Sequence, residues 1–130
     1  MAKMVGCWIV VLNPNRAPSE YVNLQVGFTL FLTEQDLETL GDDTLLQVRI
    51  RIRDDDRFSN PIIHSHDTFH VNVPDTSIVT RSTGVIIPGN KLSGIDSPLP
   101  VANIFARVHA RNMPIRTNWA NSQNELVLTT

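Results

Sequence analysis

Three of the chain's four histidines fall within "HSHDTFH", residues 64 to 70. Imidazole is a strong ligand for zinc and other first-row metals, provided three or four donors converge at about 2.0–2.3 Å from one ion. His64 and His66 suit that geometry. Two residues apart on an extended strand they share a face, with their roots about 7 Å apart. A straight strand would carry His70 about 20 Å from His64, so it joins them only if the chain turns or bulges at "DTF". Asp67-Thr68 is an acceptable pair for that. A metal set of His64, His66 and either His70 or His109 would hold zinc, iron or manganese and leave open positions. No carboxylate has a clear claim as its general base. The competing reading is a solvated polar strand face rich in imidazole, or histidines paired with aspartates at a subunit contact. On that reading no cofactor is expected.

A second group is cationic. Arg49, Arg51 and Arg53 alternate along "VRIRIR", and Arg107, His109 and Arg111 alternate along "ARVHAR". If these strands are neighbours they build one basic sheet face. Arginine binds oxyanions in bidentate fashion, so such a face suits a carboxylate, a sulfated or phosphorylated sugar, or a phosphate. Trp119, in the polar stretch "TNWANSQN", is expected at the surface or an interface, where an indole can stack on a sugar ring. Against this stands plain solvation of the arginines, with "DDD" (54–56), Asp42 and Asp43 to neutralise them. Like charges directly opposite across strands are unfavourable, which argues for stripes that are separated or paired with acids. Nucleic acid is not expected as a partner, because only Phe105 lies among these charges.

These side chains need strands to carry them, and the chain supplies strands. Val22, Leu24, Val26, Phe28, Leu30 and Leu32 alternate with polar residues, and Phe31 is the only apolar residue out of phase. That period of two marks a long strand with one face in the core. Leu46, Val48, Ile50 and Ile52 repeat the pattern, as do Ile104, Ala106, Val108 and Ala110. In 62–73 the alternation puts His64, His66, Thr68 and His70 on one face. "WIVVL" reads as a first strand with Trp8 in the core, "SIVTRSTGVII" as a later one, and "NELVLTT" as a last edge strand. "TEQDLETLG" changes period, with Thr33 or Glu34 as cap and Gly41 as stop, and predicts one short helical turn near residues 34–40. Seven to nine short strands with turn signals about every ten residues predict an all-β fold. The expectation is a single-domain antiparallel β-sandwich over 1–130, immunoglobulin-like or jelly-roll.

Composition narrows the classes further. A length of 130 residues, 42% hydrophobic and 18% charged, fits one soluble domain. The net charge of −2 gives no general attraction to nucleic acid or an anionic membrane. No apolar run approaches the ~20 residues that cross a bilayer, and the apolar run near Cys7 follows the cysteine instead of preceding it, unlike a leader. A cytoplasmic location is the expectation, with no membrane partner. One cysteine allows no internal disulfide, and its apolar surroundings predict a buried, inert thiol. No nucleophile constellation, phosphate loop or paired-cysteine motif is present.

Two stretches resemble known families. "HSHDTFH" is similar to the first motif of the cupins, in which His-x-His is followed by a carboxylate. His64, His66 and His70 match the three positions, with His in place of Glu and Phe58 where the motif has Gly. "VIIPGNKL" has the Pro-Gly of the second motif without its His. The resemblance implies a metal-binding protein or metalloenzyme. "FARVHARNMPI", "NSQNELVLTT" and "CW" near the start are similar to the small β-sandwich transducers of microbial sensory rhodopsins. That resemblance implies an oligomeric sandwich without enzymatic activity.

The leading expectation is therefore a non-enzymatic module that binds a protein or a small anionic or glycan ligand and forms a homo-oligomer. The alternatives are the cupin-like metalloprotein and a structural subunit of a larger assembly.

Overall fold

The fold is described from a computed structural model over residues 2–13, 21–40, 45–54, 62–72, 78–88, 101–112 and 115–128, with backbone alone at 40, 45, 54, 66–72, 101–103, 112 and 126–128. The described residues form two antiparallel sheets and one short helix. Strands β1 (Lys3–Val11), β2 (Val22–Phe31) and β5 (Ile78–Ile87) form the first sheet, in the order β1-β2-β5. The second contains β3 (Leu45–Asp54), β4 (Ile62–Asn72) and β6 (Val101–Asn112), in the order β4-β3-β6. Three short strands line the far side of β6: β7 (Ile115–Arg116), β8 (Ala120–Asn121) and β9 (Glu125–Leu128).

Period-two alternation decides what lies between the sheets. Val22, Leu24, Val26, Phe28, Leu30 and Leu32 are fully buried, as are Leu46, Val48, Ile50 and Ile52 from β3 and Ile104, Ala106, Val108 and Ala110 from β6. These residues belong to one apolar cluster that draws on both sheets. Burying each large aliphatic side chain contributes roughly 1.5–3 kcal/mol, so alternation on these three strands is the main constraint on the fold.

Helix α1 (Glu34–Leu40) follows β2 and precedes β3 in the other sheet. Thr33 and Asp36 form a reciprocal cap: Thr33 N–H donates to Asp36 Oδ2 at 2.9 Å, and Asp36 N–H donates to Thr33 Oγ1 at 3.1 Å. This satisfies two amides that a helix start would otherwise leave open. Leu37 packs against the core cluster and anchors the turn.

Trp8 departs from its expected place. It is 37% exposed, and its indole lies on Gly27 of the neighbouring strand, where a Cβ would overlap the ring. Phase explains this. Ile9 is the residue that points into the core, and Trp8 takes the opposite face. The aromatic ring covers the bare backbone of a mid-strand glycine, which a strand otherwise tolerates poorly.

Cys7 shares the core-facing parity of Ile9, and its Sγ lies 3.9 Å from Ala106 O on the other sheet. Burial pushes its thiol up to about 12. Among the described residues, no helix is long and apolar enough to cross a membrane.

Candidate anion-binding face

Antiparallel pairing of β3 with β6 brings the two cationic rows together. Arg49 stands opposite His109, Arg51 opposite Arg107, and Gln47 opposite Arg111. Beyond β6, Arg116 of β7 stands opposite Arg111. Of the two expected arrangements, adjacent rows on one face and separated stripes, the pairing of β3 with β6 gives the first. Arg51 and Arg107 are direct cross-strand partners, an arrangement that repulsion disfavours. Arg53 stands opposite Phe105 at the end of the row. Asp42, Asp43, Asp55 and Asp56 lie outside the described residues, as does the side chain of Asp54.

Two bulges in the C-terminal edge shape this face. Thr117 pairs with Ala110 through its own N–H and hydroxyl: Thr117 N–H donates to Ala110 O, and Ala110 N–H donates to Thr117 Oγ1, both at 2.9 Å. Ser122 makes the same pair with Ala106, both bonds at 2.8 Å. In each case a side-chain hydroxyl replaces the strand's carbonyl, and the ladder slips. Ala120 is already opposite Val108, so Asn118 and Trp119 together face the single residue His109. Glu125 is opposite Ile104, so Gln123 and Asn124 together face Phe105. An extra residue in a strand bends it and re-aims the side chains it carries.

Both outer positions opposite these bulges are buried. His109 and Phe105 are only 5% and 6% exposed, although parity places them on the outer side with the arginines. Their solvated position expected from alternation is corrected by the C-terminal edge, which alternation on β6 alone does not reveal. Trp119 covers His109 directly: the rings stack at 4.8 Å between centroids and 19° between planes. The guanidinium of Arg107 lies 5.3 Å from the indole centroid and that of Arg51 lies 6.0 Å away. The electron-rich ring thus stands near both members of the like-charged pair and offsets their repulsion by cation–π attraction. Arg107 Nε also donates to Asn121 Oδ1 at 2.9 Å, and Arg111 Nε to Gln47 Oε1 at 3.4 Å.

Arg49 Nε and His109 Nδ1 on this face are buried and have no hydrogen-bond partner among the described residues. They belong to direct cross-strand partners. Buried polar groups left in this way cost about 1–3 kcal/mol each. Burial holds the His109 imidazole below its ordinary range, and the charges of Arg116, Arg49, Arg111 and Arg51 push the same way. A groove of about 610 Å³ lined by Ala2, Lys3, Arg116, Thr117 and Asn118 opens beside this edge.

Asn118 fixes the bulge to the other sheet. Its Oδ1 accepts from Met4 N–H at 2.9 Å, and its Nδ2 donates to Met4 O at 3.2 Å. Gln123 Nε2 donates to Ile9 O at 2.8 Å. Both amides dock on β1, so one residue of each bulge ties the two sheets together. Their importance was not legible from residue type, since "NWANSQN" reads only as a polar loop.

The histidine stretch does not keep a single parity. Gln47 pairs with His70 and Val48 with Phe69, but Ile50 pairs with His66 and Ile52 with His64. Asp67 and Thr68 therefore both stand against Arg49 in a bulge, and the alternation inverts there. The expectation that His64, His66, Thr68 and His70 occupy one face is corrected. His64 and His66 share the register of core-facing β3 positions, and His70 shares that of the arginine row. The bulge falls at the Asp67-Thr68 pair whose residue types favour one. The side chains of His66 and His70 lie outside the described residues, while His64 is half-buried. Among the described residues, no three His, Cys, Asp or Glu side chains are placed to hold a metal ion. His109, the fourth candidate ligand, is engaged by Trp119.

Compared with known proteins, the chain matches no family model and no curated protein.

Proposed function

We propose that this protein is a non-enzymatic β-sandwich binding module whose arginine–tryptophan face takes an anionic ligand that carries a ring, such as a sulfated or phosphorylated sugar. One observation carries the reading. Arg49 Nε and His109 Nδ1 are neighbours without a hydrogen-bond partner among the described residues, on a face where Arg51, Arg107, Arg111 and Arg116 add positive charge and Trp119 adds a partly exposed ring. An oxyanion supplies the acceptor that the guanidinium lacks, and hydrogen bonds to charged groups are among the stronger ones, about 1.5–3 kcal/mol. A sugar ring stacks on the side of the indole turned away from His109. Among the described residues the face has donors and charge but no activated nucleophile, and its imidazole is covered, so it suits holding a ligand better than transforming one.

The test is a titration with glucose 6-sulfate, followed by Trp119 fluorescence in a Trp8→Phe background, with glucose and inorganic sulfate in parallel. Saturable binding of the sugar sulfate, weakened at least tenfold by Arg49→Ala and by rising salt, supports the reading. Equal responses from wild type and Arg49→Ala reject it.

A further inference from the structure

The outer faces of the two sheets differ in kind. The second sheet carries the arginine rows on its outer side. On the first, the outward positions of β1, β2 and β5 hold one charge, Lys3. Arg81 stands opposite the buried Phe28 and shares its side of the sheet, the inner one. Among the described residues ten large apolar side chains are exposed, and all but Ile62 and Trp119 lie on this face or on the residues that prolong its strands. A sheet face left to water is ordinarily polar. These eight side chains leave roughly 800 Å² open to solvent, beyond the largest apolar patch of an ordinary monomer and about what each partner gives to a standard interface.

The apolar residues gather at the two ends of the face. Trp8, Gly27 and Ser82 form its middle row, where the indole lies on the glycine. Toward one end stand Phe31 and Ile78, beside Lys3. Toward the other stand Leu12 and Ile86, on either side of Asn23. Ile78 and Ile86 are equally far from Ser82, and each is 58% exposed. The polar residues between the ends bond one another within the face. Gln25 Nε2 donates to Ser82 Oγ at 2.9 Å, and the Thr29 and Thr80 hydroxyls lie 3.2 Å apart. Covering groups so paired costs less than covering groups bonded only to water.

This arrangement fits a second copy of itself. Two sheets pack face to face about 10 Å apart with their strands roughly aligned. A two-fold rotation about the middle row then lays the Phe31–Ile78 end of one copy on the Leu12–Ile86 end of the other. The two Trp8 indoles meet near the axis. Lys3 falls on the Leu12 end and not on its own copy, so no charge is set against itself. A face this neutral offers nothing to select a charged partner.

We infer that the outer face of the β1-β2-β5 sheet is a homodimer interface, covered by the same face of a second copy. The contact is isologous, as a closed dimer requires. It lies on the other sheet from the arginine face and does not depend on ligand binding there.

Light scattering coupled to size exclusion tests it in the full chain. The wild type is expected to be a dimer. Ile86→Glu and Phe31→Glu, which put carboxylates into the contact, are each expected to weaken it at least tenfold with unchanged circular dichroism. Ile62→Glu, an equal change at an exposed position of the second sheet, is expected to leave the dimer intact. A readout without any change to the face is Trp8 in a Trp119→Phe chain: its quenching by acrylamide should rise as dilution separates the copies. A dimer that survives both glutamates, dissociation by Ile62→Glu, or Trp8 quenching that ignores dissociation overturns the assignment. So does a monomeric wild type, and one that floats with phosphatidylcholine vesicles would give the face to a lipid surface instead.

Discussion

The Trp119 indole lies stacked on the His109 imidazole at 4.8 Å, and this contact exists because two residues, Asn118 and Trp119, stand against one on β6. The extra residue turns what would be an edge position into a lid over the cationic face. Thr117 and Ser122 hold the slipped ladder on either side with their hydroxyls, and Asn118 holds it from the other sheet.

Asn118→Ala should therefore act on both stability and the site. It removes two hydrogen bonds to Met4 and one to Trp119 O, and leaves the Met4 amide without its partner, a loss of about 1–3 kcal/mol. Urea unfolding should show a lower midpoint, and Trp119 fluorescence in a Trp8→Phe background should shift toward the solvated indole. An unchanged spectrum would mean that Trp119 is placed by something other than this tie.

Trp8 and Gly27 form a second dependent pair. Gly27→Ala puts a methyl group where the indole lies, and overpacking of this kind costs about 1–3 kcal/mol. In a Trp8→Ala background the same substitution should be close to neutral. A double-mutant cycle by chemical denaturation reads the coupling directly; additive effects would show that the ring can move aside freely.

His109 makes stability depend on pH. Its imidazole is held below the ordinary value of 6.5 by burial and by the surrounding arginines. The unfolded chain therefore binds the proton more readily than the folded one as pH falls past about 6.5. The contribution is fully present above that value and is lost as the pH drops toward the folded pKa. His109→Gln should flatten the slope of unfolding free energy between pH 7 and 5, and a slope identical to wild type would assign the dependence to other groups.

Cys7 should be inert in the native state. With its thiol pushed up to about 12 by burial, almost no thiolate exists at pH 8. An aromatic disulfide reagent should react only after denaturant is added. Rapid native labelling would show that β1 opens from the other sheet.

Much of the fold was legible because the inward residues marked by period-two alternation on β2, β3 and β6 are the buried apolar ones, and because "TEQDLETL" carries its own cap. The arginine rows were legible for the same reason. The failures at the histidines and at Phe105 share one physical cause. A bulge inserts a residue without changing composition, so alternation read through Asp67-Thr68 assigned the histidines to one face. The two-against-one slips at His109 and Phe105 are likewise invisible from β6 itself. Trp8 was misplaced because an apolar run such as "WIVVL" does not disclose its phase, which Gly27 on the next strand settles.

The most direct test of the anion-binding face is the His109 ring pKa, followed by its imidazole NMR signals with and without saturating glucose 6-sulfate. An oxyanion bound on the arginine face offsets the arginine charges that hold the covered His109 imidazole neutral, so the pKa should rise on binding, with proton uptake. The same addition to Arg49→Ala should leave it in place. A His109 pKa that does not move in the wild-type protein would contradict the assignment of this face as the ligand site.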